Sequence, residues 1–303
     1  MLNTRTVGKE ISATRLDYLD ATRAIAAFLV VVVHVSQLYP QSHGLWTLSQ
    51  MGQLGVQLFF VASAFTITAS LERLSSEPHA MKRFFIFRFF RIAPLFYLGI
   101  LTYFIATQLS FFDTAPHIPR PQYSILNTIG HFFLLNGIYP RGGNTLVPGE
   151  WSIGAECLFY AIAPLLFQLR HSTIKLITLG IFCLFAIQLL ALAASIITGR
   201  YTLVENNGIL FYLIINQLPV FLVGIYLYAN KIILFNYSAM KCWGGVVIGI
   251  CLMWSLWWST MMEGILYSVI PVLAAVTSAC LIIALSKIKN LPYYLIELGR
   301  RSY

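Results

Sequence analysis

Long apolar runs alternate with short polar segments along most of this chain. Eight runs have about the length that an α-helix needs to cross a bilayer, near 20 residues. They lie at about 21–39, 52–71, 92–109, 151–169, 174–197, 208–229, 243–259 and 265–285. The pattern predicts an all-α fold, a polytopic integral membrane bundle of about 8–10 transmembrane helices without a soluble domain.

Two other stretches need separate interpretations. Residues 1–15 are polar, and we predict a cytoplasmic N-terminal lead. The first apolar run opens near Arg23 and no small-residue cleavage site follows, so we interpret it as a retained helix rather than a cleaved signal. Within 123–150, the apolar piece Ile125–Ile138 is interrupted by polar residues and is short for a span.

The distribution of lysine and arginine gives the topology. If 123–150 does not cross the membrane, 17 of these cations share the side of the N-terminus and 3 lie opposite. If the stretch crosses once, the split is 11 to 9. The positive-inside rule favours the first arrangement, with a cytoplasmic N-terminus. Because a half-polar stretch at membrane depth is tolerated where it lines a cavity, we predict that 123–150 walls a pocket opening outward.

Composition supports a membrane protein and narrows its partners. Hydrophobic residues make up 58% and charged residues 10%, with a mean hydropathy of +0.75, whereas soluble domains are about 25% charged. The net charge of +9 is explained by cytoplasmic loops, so the expected partner is the lipid bilayer and not nucleic acid. The six histidines have no i, i+4 pairing, so we expect no metal site.

One helical face carries the first candidate chemistry. Arg23 and His34 are eleven residues apart, which is about three turns and about 16 Å along a helix. His34 then lies near the membrane centre, where an ionisable side chain is a functional hypothesis. The alternative is a structural histidine that bonds a neighbouring helix.

Other polar residues in or near the apolar runs are further candidates. Arg88 and Arg91 share one helical face, so they could clamp a phosphate, although positive-inside retention is the alternative. They end a segment, 81–91, whose mixed cations and aromatics are typical of the membrane interface. The carboxylate of Glu156 lies inside a span, where it is costly unless paired or functional.

Aromatic and small polar residues leave two interpretations open. Trp151 and Tyr160 could belong to interfacial belts or offer stacking faces to a sugar. Gln57 and Ser63 lie within a span, where such residues usually join helices.

Taken in order, these motifs resemble the bacterial acyltransferase-3 membrane proteins, which O-acylate cell-surface and exported glycans. The resemblance extends over nearly the whole chain. The matching stretches are Leu19-Asp20-Ala-Thr-Arg23 with His34, Gly55–Phe65, Arg88-Phe-Phe-Arg91, Trp151-Ser152-Ile-Gly-Ala-Glu156 with Phe159-Tyr160, Leu218–Gly224 and Leu298–Tyr303.

The resemblance implies a domain at 16–303 in the bacterial inner membrane. It implies an acyl-CoA co-substrate, with acetyl-CoA from the cytoplasm as the expected donor, no other cofactor, and a glycan or lipid-linked sugar acceptor. It also implies roles for the candidate residues. They are His34 and Glu156 in catalysis, with Glu156 orienting His34 or the acceptor, then Arg23, Arg88 and Arg91 at the donor phosphates, and Trp151, Ser152, Tyr160 and Gln57 in the acceptor pocket.

The chain departs from the family pattern at three points. Gln57 stands where the family usually has Asp, and Ala64 where it has Gly. The family usually continues past Leu298–Tyr303 into one more helix, so we expect a C-terminally truncated chain. The rival function is a transporter or exporter of a glycan or lipid-linked precursor, which predicts helix repeats that are not visible in this sequence.

Overall fold

The computed structural model describes residues 16–38, 49–111, 120–138, 145–198, 210–258 and 266–302. Within these ranges all regular structure is helical and no strand occurs, which confirms the predicted all-α class. The predicted lead at 1–15 lies outside the described residues.

Eleven helices, numbered in chain order, make up the described part. They are α1 (Asp17–Leu38), α2 (Gly55–Leu74, preceded by a 3₁₀ turn at Met51–Leu54), α3 (Ala80–Gln108), α4 (Ile125–Phe132), α5 (Glu150–Gln168), α6 (Thr173–Thr198), α7 (Ile214–Ala229), α8 (Lys231–Leu234), α9 (Ala239–Trp258), α10 (Leu266–Leu285) and α11 (Tyr293–Arg301). By length and composition α1, α2, α3, α5, α6, α9 and α10 could cross a membrane, and the apolar α7 is shorter. The polytopic helical bundle is therefore confirmed.

The bundle is built around α2, the most deeply buried of these long helices. Helices α1, α7 and α10 pack against α2, and α5 runs beside it. Phe60 of α2, Phe221 of α7 and Phe159 of α5 form a stack, with ring centroids 4.4 Å and 4.1 Å apart along the series. This apolar centre aligns the helices that carry the polar residues described below.

Glycines allow two of these helices to approach α2 closely. A Cβ atom on Gly224 of α7 would lie 2.5 Å from the carbonyl oxygen of Val61, and one on Gly55 would lie 2.7 Å from that of Ala26. Such separations leave no room for a side chain, as is typical of small residues at membrane helix crossings.

The third span begins earlier than the sequence suggested. We predicted a separate segment at 81–91 and a span starting at Ile92, and that boundary is wrong because α3 is one continuous helix from Ala80. No helix breaker occurs before Pro94, and a continuous helix pairs its backbone groups internally, as a bilayer requires. At 29 residues, α3 is about 43 Å long and exceeds the bilayer core of about 30 Å.

The described part of the half-polar stretch after α3, residues 120–138 and 145–149, contains one short helix. The eight residues of α4 extend about 12 Å, too short to cross a bilayer. Ser124 caps this helix by accepting a hydrogen bond from the backbone N–H of Asn127. The segment Thr145–Gly149, called the wall segment below, then leads directly into α5.

Replacing Gly224 by alanine should destabilise the bundle, because the added methyl group would collide with the backbone of α2. We expect a loss of about 1–3 kcal/mol, the usual cost of overpacking, seen as a lower thermal unfolding temperature in detergent. Gly244→Ala is the matched control, since a Cβ there meets nothing within 4 Å. Equal unfolding temperatures for the two variants would contradict the close crossing.

Candidate functional site

His34 lines a cavity of about 210 Å³ near the C-terminal end of α1. Val56 of α2, the wall segment, and Trp151 and Ser152 at the start of α5 enclose the same cavity. Among the described residues none forms a hydrogen bond with His34, and its side chain is exposed within the cavity. An imidazole in this setting has both ring nitrogens available for a substrate.

The wall segment closely approaches the imidazole. Gly149 has a φ of +82°, which favours glycine, and a Cβ built on it would lie 3.6 Å from Nε2 of His34. A side chain at this position would therefore narrow the cavity beside the histidine.

Glu150, the first residue of α5, holds the wall segment. Its fully buried carboxylate accepts hydrogen bonds from the backbone N–H groups of Thr145, Leu146 and Val147 at 2.6, 2.8 and 2.8 Å. Nε2 of His131, also fully buried, lies 2.8 Å from Oε1 of Glu150. Nδ1 of His131 lies 2.6 Å from the carbonyl oxygen of Asn127. Both ring nitrogens thus face acceptors, the arrangement that a protonated imidazole satisfies.

The protonation of His131 reflects two opposing effects. Burial disfavours the charged imidazolium, whereas the hydrogen bond to Glu150 and the charge of its carboxylate favour it, and the net pKa of His131 is raised from its ordinary 6.5. The sequence pattern did not reveal this pair. The available signal was a histidine in the half-polar stretch and a glutamate at a predicted helix start.

Arg23 is held at the other end of α1 by ion pairs and hydrogen bonds. Its guanidinium donates to Oδ1 of Asp20 at 3.1 Å and to Oγ1 of Thr66 at 3.2 Å. Arg300 of α11 donates to Oδ2 of Asp20 at 3.3 Å. A Cβ on Gly299 would lie 1.7 Å from the carbonyl oxygen of Asp20. The first and last motifs of the sequence therefore form one contact.

A second cavity, of about 560 Å³, lies between the end of α2 and the first half of α3. It is predominantly basic, with one acidic residue and two aromatic rings among its lining. The lining residues are Ser70, Arg73, Leu74, Glu77, Arg83, Phe84, Phe87, Arg88 and Arg91. The structure brings Arg88 and Arg91 together here, whereas Arg23 is not part of this lining. Arg73 and Arg83 also line this cavity, although nothing in the sequence pattern distinguishes them from other cations of this stretch.

Glu156 lies in the bundle between the two cavities. Its Oε1 atom accepts hydrogen bonds from Oγ of Ser63 at 2.5 Å and from the hydroxyl of Tyr160 at 2.6 Å. The guanidinium carbon of Arg88 lies 5.4 Å from the centroid of the Tyr160 ring. Glu156 is thus connected to the arginine cavity through Tyr160, and its two described hydrogen bonds are to Ser63 and Tyr160.

The residues predicted for the acceptor pocket lie in different parts of the structure. Trp151 and Ser152 line the His34 cavity. Gln57 is fully buried and donates to Oε1 of Gln217 at 3.1 Å. Tyr160 is buried beside Glu156. Neither belongs to the described lining of the His34 cavity, because Gln57 faces α7 and Tyr160 faces Arg88.

Comparison with known protein families matches residues 16–303 to the family described as an acyltransferase domain, which covers nearly the whole chain. The chain belongs to the acyltransferase-3 family. Comparison with curated proteins and with solved structures returned no match.

Family membership makes this protein a multi-pass membrane acyltransferase. An acyltransferase needs a site for an acyl donor and a site for an acceptor. Among the described cavities of this acyltransferase-3 protein, the arginine cavity and the His34 cavity are the two whose lining includes site residues predicted from the sequence.

The stabilising effect of the His131–Glu150 pair should depend on pH. Because the pKa of His131 is raised, the contribution of the pair to the free energy of unfolding is complete below about pH 6.5. This contribution falls as the pH rises through the raised pKa. We expect His131→Gln to lower the thermal unfolding temperature more at about pH 6 than at about pH 9. The exposed His171 provides the control variant His171→Gln. A deficit of His131→Gln that is equal at both pH values would contradict the charged pair.

Proposed function

We propose that this acyltransferase transfers an acyl group, specifically acetyl, from acyl-CoA to a hydroxyl group of a cell-surface or exported glycan. The observation that carries the proposal is the separation of the two polar cavities. Val56 lines the His34 cavity and Ser70 the arginine cavity, and this separation of 14 positions along α2 corresponds to about 21 Å.

The arginine cavity suits the phosphates of coenzyme A. Guanidinium groups offer forked donors that match phosphate oxygens, and four arginines line this cavity. The rings of Phe84 and Phe87 beside them offer apolar faces for the adenine. Since most of the chain's cations lie on this side in the favoured topology, we assign this cavity to the cytoplasm of a bacterial inner membrane, with the N-terminus on the same side.

The His34 cavity suits the acceptor. Trp151 and Ser152 line it together with His34, and an indole and a hydroxyl can offer a sugar stacking and hydrogen bonds. We assign His34 as the general base. It takes the proton of the acceptor hydroxyl as that oxygen attacks the thioester carbonyl carbon, and the coenzyme A thiolate leaves.

Glu156 would act between the two substrates. Its hydrogen bonds to Ser63 and Tyr160 keep the carboxylate in one position. Because Tyr160 also contacts Arg88, we assign Glu156 and Tyr160 to the donor side of the reaction rather than to the orientation of His34. The guanidinium of Arg23 bonds Asp20 on α1 and Thr66 on α2. We therefore assign Arg23 to holding these two helices together and not to direct contact with the donor phosphates.

Replacing His34 by glutamine should abolish most of the transfer. Loss of a general base usually lowers the rate about 10²- to 10⁴-fold. The measurement is the O-acetyl content of surface polysaccharide, by NMR or mass spectrometry, in cells that lack the gene and carry wild type, His34→Gln or the control His171→Gln. Wild-type acetylation by His34→Gln at normal protein level would contradict the role of His34. Equal acetylation with and without the gene would contradict the proposed function.

Replacing Arg88 and Arg91 by glutamine should weaken donor binding. A hydrogen bond to a charged group contributes about 1.5–3 kcal/mol, so the KM for acyl-CoA should rise about 10- to 100-fold for each arginine. Lys82→Gln is the matched control, because Lys82 is a neighbouring exposed cation outside the lining of the cavity. An unchanged KM for acyl-CoA in purified protein would place the donor phosphates elsewhere.

A further inference from the structure

The wall segment lacks helical or strand pairing of its own, and three of its backbone N–H groups depend on one side chain. Three successive N–H groups, those of Thr145, Leu146 and Val147, all donate to the carboxylate of Glu150. The hydroxyl of Thr145 donates to the same carboxylate at 3.2 Å. Displacing the carboxylate would therefore release the whole segment, since buried N–H groups need acceptors.

The carboxylate is in turn fixed by His131 and its surroundings. His131 bonds Glu150 through Nε2 and the α4 backbone through Nδ1, so its ring cannot turn without losing a contact. The ring of Phe96 in α3 lies nearly parallel to the imidazole, with centroids 6.4 Å apart. The side-chain amide of Asn136 donates to the carbonyl oxygen of Glu150 at 3.0 Å. These contacts connect the wall segment to α3 and α4.

The same segment forms one side of the His34 cavity. Residues Thr145 to Gly149 all belong to the lining, and a Cβ built on Gly149 would lie 3.6 Å from Nε2 of His34. The carbonyl oxygen of Thr145 accepts a hydrogen bond of 2.7 Å from the N–H of Gln122, so 120–122 is held with it. A movement of Glu150 thus changes the width of the cavity.

We propose that the buried His131–Glu150 pair is a positioning pair that sets the acceptor side of the His34 cavity. The pair touches neither substrate and controls how the acceptor hydroxyl is placed against the imidazole. The kinetic part of this inference rests on the proposed function, whereas the structural part does not. Misplacement by about 1 Å can cost 10²-fold in rate, so a small shift of the wall segment is sufficient.

Glu150→Gln is the most direct test. A carboxamide has one oxygen and one NH₂ group. In either orientation, its NH₂ group faces at least one of the backbone N–H groups that donate to the wild-type carboxylate, so that hydrogen bond is lost. Deuterium exchange followed by mass spectrometry should show loss of protection in peptides covering 145–147, with α2 unchanged. Carbethoxylation of His34 by diethyl pyrocarbonate should become measurably faster. The matched control is His171→Gln, at an exposed histidine between α5 and α6.

Steady-state kinetics then separate positioning from general stability. In Glu150→Gln the KM for the glycan acceptor should rise at least about 10-fold, while the KM for acyl-CoA stays within about two-fold. His131→Gln should shift both readouts in the same direction. If Glu150→Gln does not fold, Thr145→Val removes one hydroxyl donor to the pair and should produce smaller changes of the same kind.

The outcomes distinguish this inference from the proposed function. Unchanged exchange at 145–147 overturns the inference, as does faster exchange with an unchanged acceptor KM or with equal changes in both KM values. If the wild-type protein acetylates no glycan, the proposed function fails on its own. In that case faster exchange together with faster carbethoxylation of His34 supports the positioning of the cavity, and their absence overturns it.

Discussion

The cost of holding charged groups at membrane depth is the constraint on which this structure depends. A bilayer core offers no water to an unpaired carboxylate or guanidinium, so such groups persist when the protein provides partners. Asp20, just before the first apolar run, shows that the same need for partners extends to the membrane boundary, because its two carboxylate oxygens accept hydrogen bonds from Arg23 on the same helix and from Arg300 near the end of the described chain. Arg300 is distant from Asp20 in sequence, so this pair also shows that α11 must pack against α1.

Close backbone contact makes these pairs possible. Three glycines remove a side chain where two helices cross, and a backbone carbonyl oxygen of the neighbouring helix lies at each of these points. The pairs are Gly55 with Ala26, Gly224 with Val61, and Gly299 with Asp20. Helices that approach so closely bring even short polar side chains, such as Ser63 and Thr66, within hydrogen-bonding range of partners on neighbouring helices. Small residues in the motifs thus set the distance between neighbouring helices, and polar residues form hydrogen bonds across that distance.

Hydropathy was sufficient to predict the class and most helices, because bilayer thickness dictates the length of an apolar run. It failed at the start of α3, since a sequence of cations and aromatics can continue a helix beyond the membrane core. Single polar residues in apolar runs, such as His34 and Glu156, were visible because their burial is costly. Their partners were not, because a side chain's direction depends on helix rotation and tertiary packing. Glu150 was overlooked for a related reason: a carboxylate at a helix start is ordinary until a buried histidine is found beside it.

The exposure of α3 has a consequence for how lipids act on this protein. Helix α3 is the least buried of the long helices and forms one side of the arginine cavity, whose other side belongs to the well-packed α2. A long, loosely held helix adjusts to a thinner or thicker bilayer by tilting. The distance between Arg73 on α2 and Arg91 on α3 would then change with bilayer thickness. If this cavity holds the donor, as proposed, acyl-chain length and sterol-like lipids would tune donor affinity without touching the donor, and membrane composition would be an allosteric variable of the reaction.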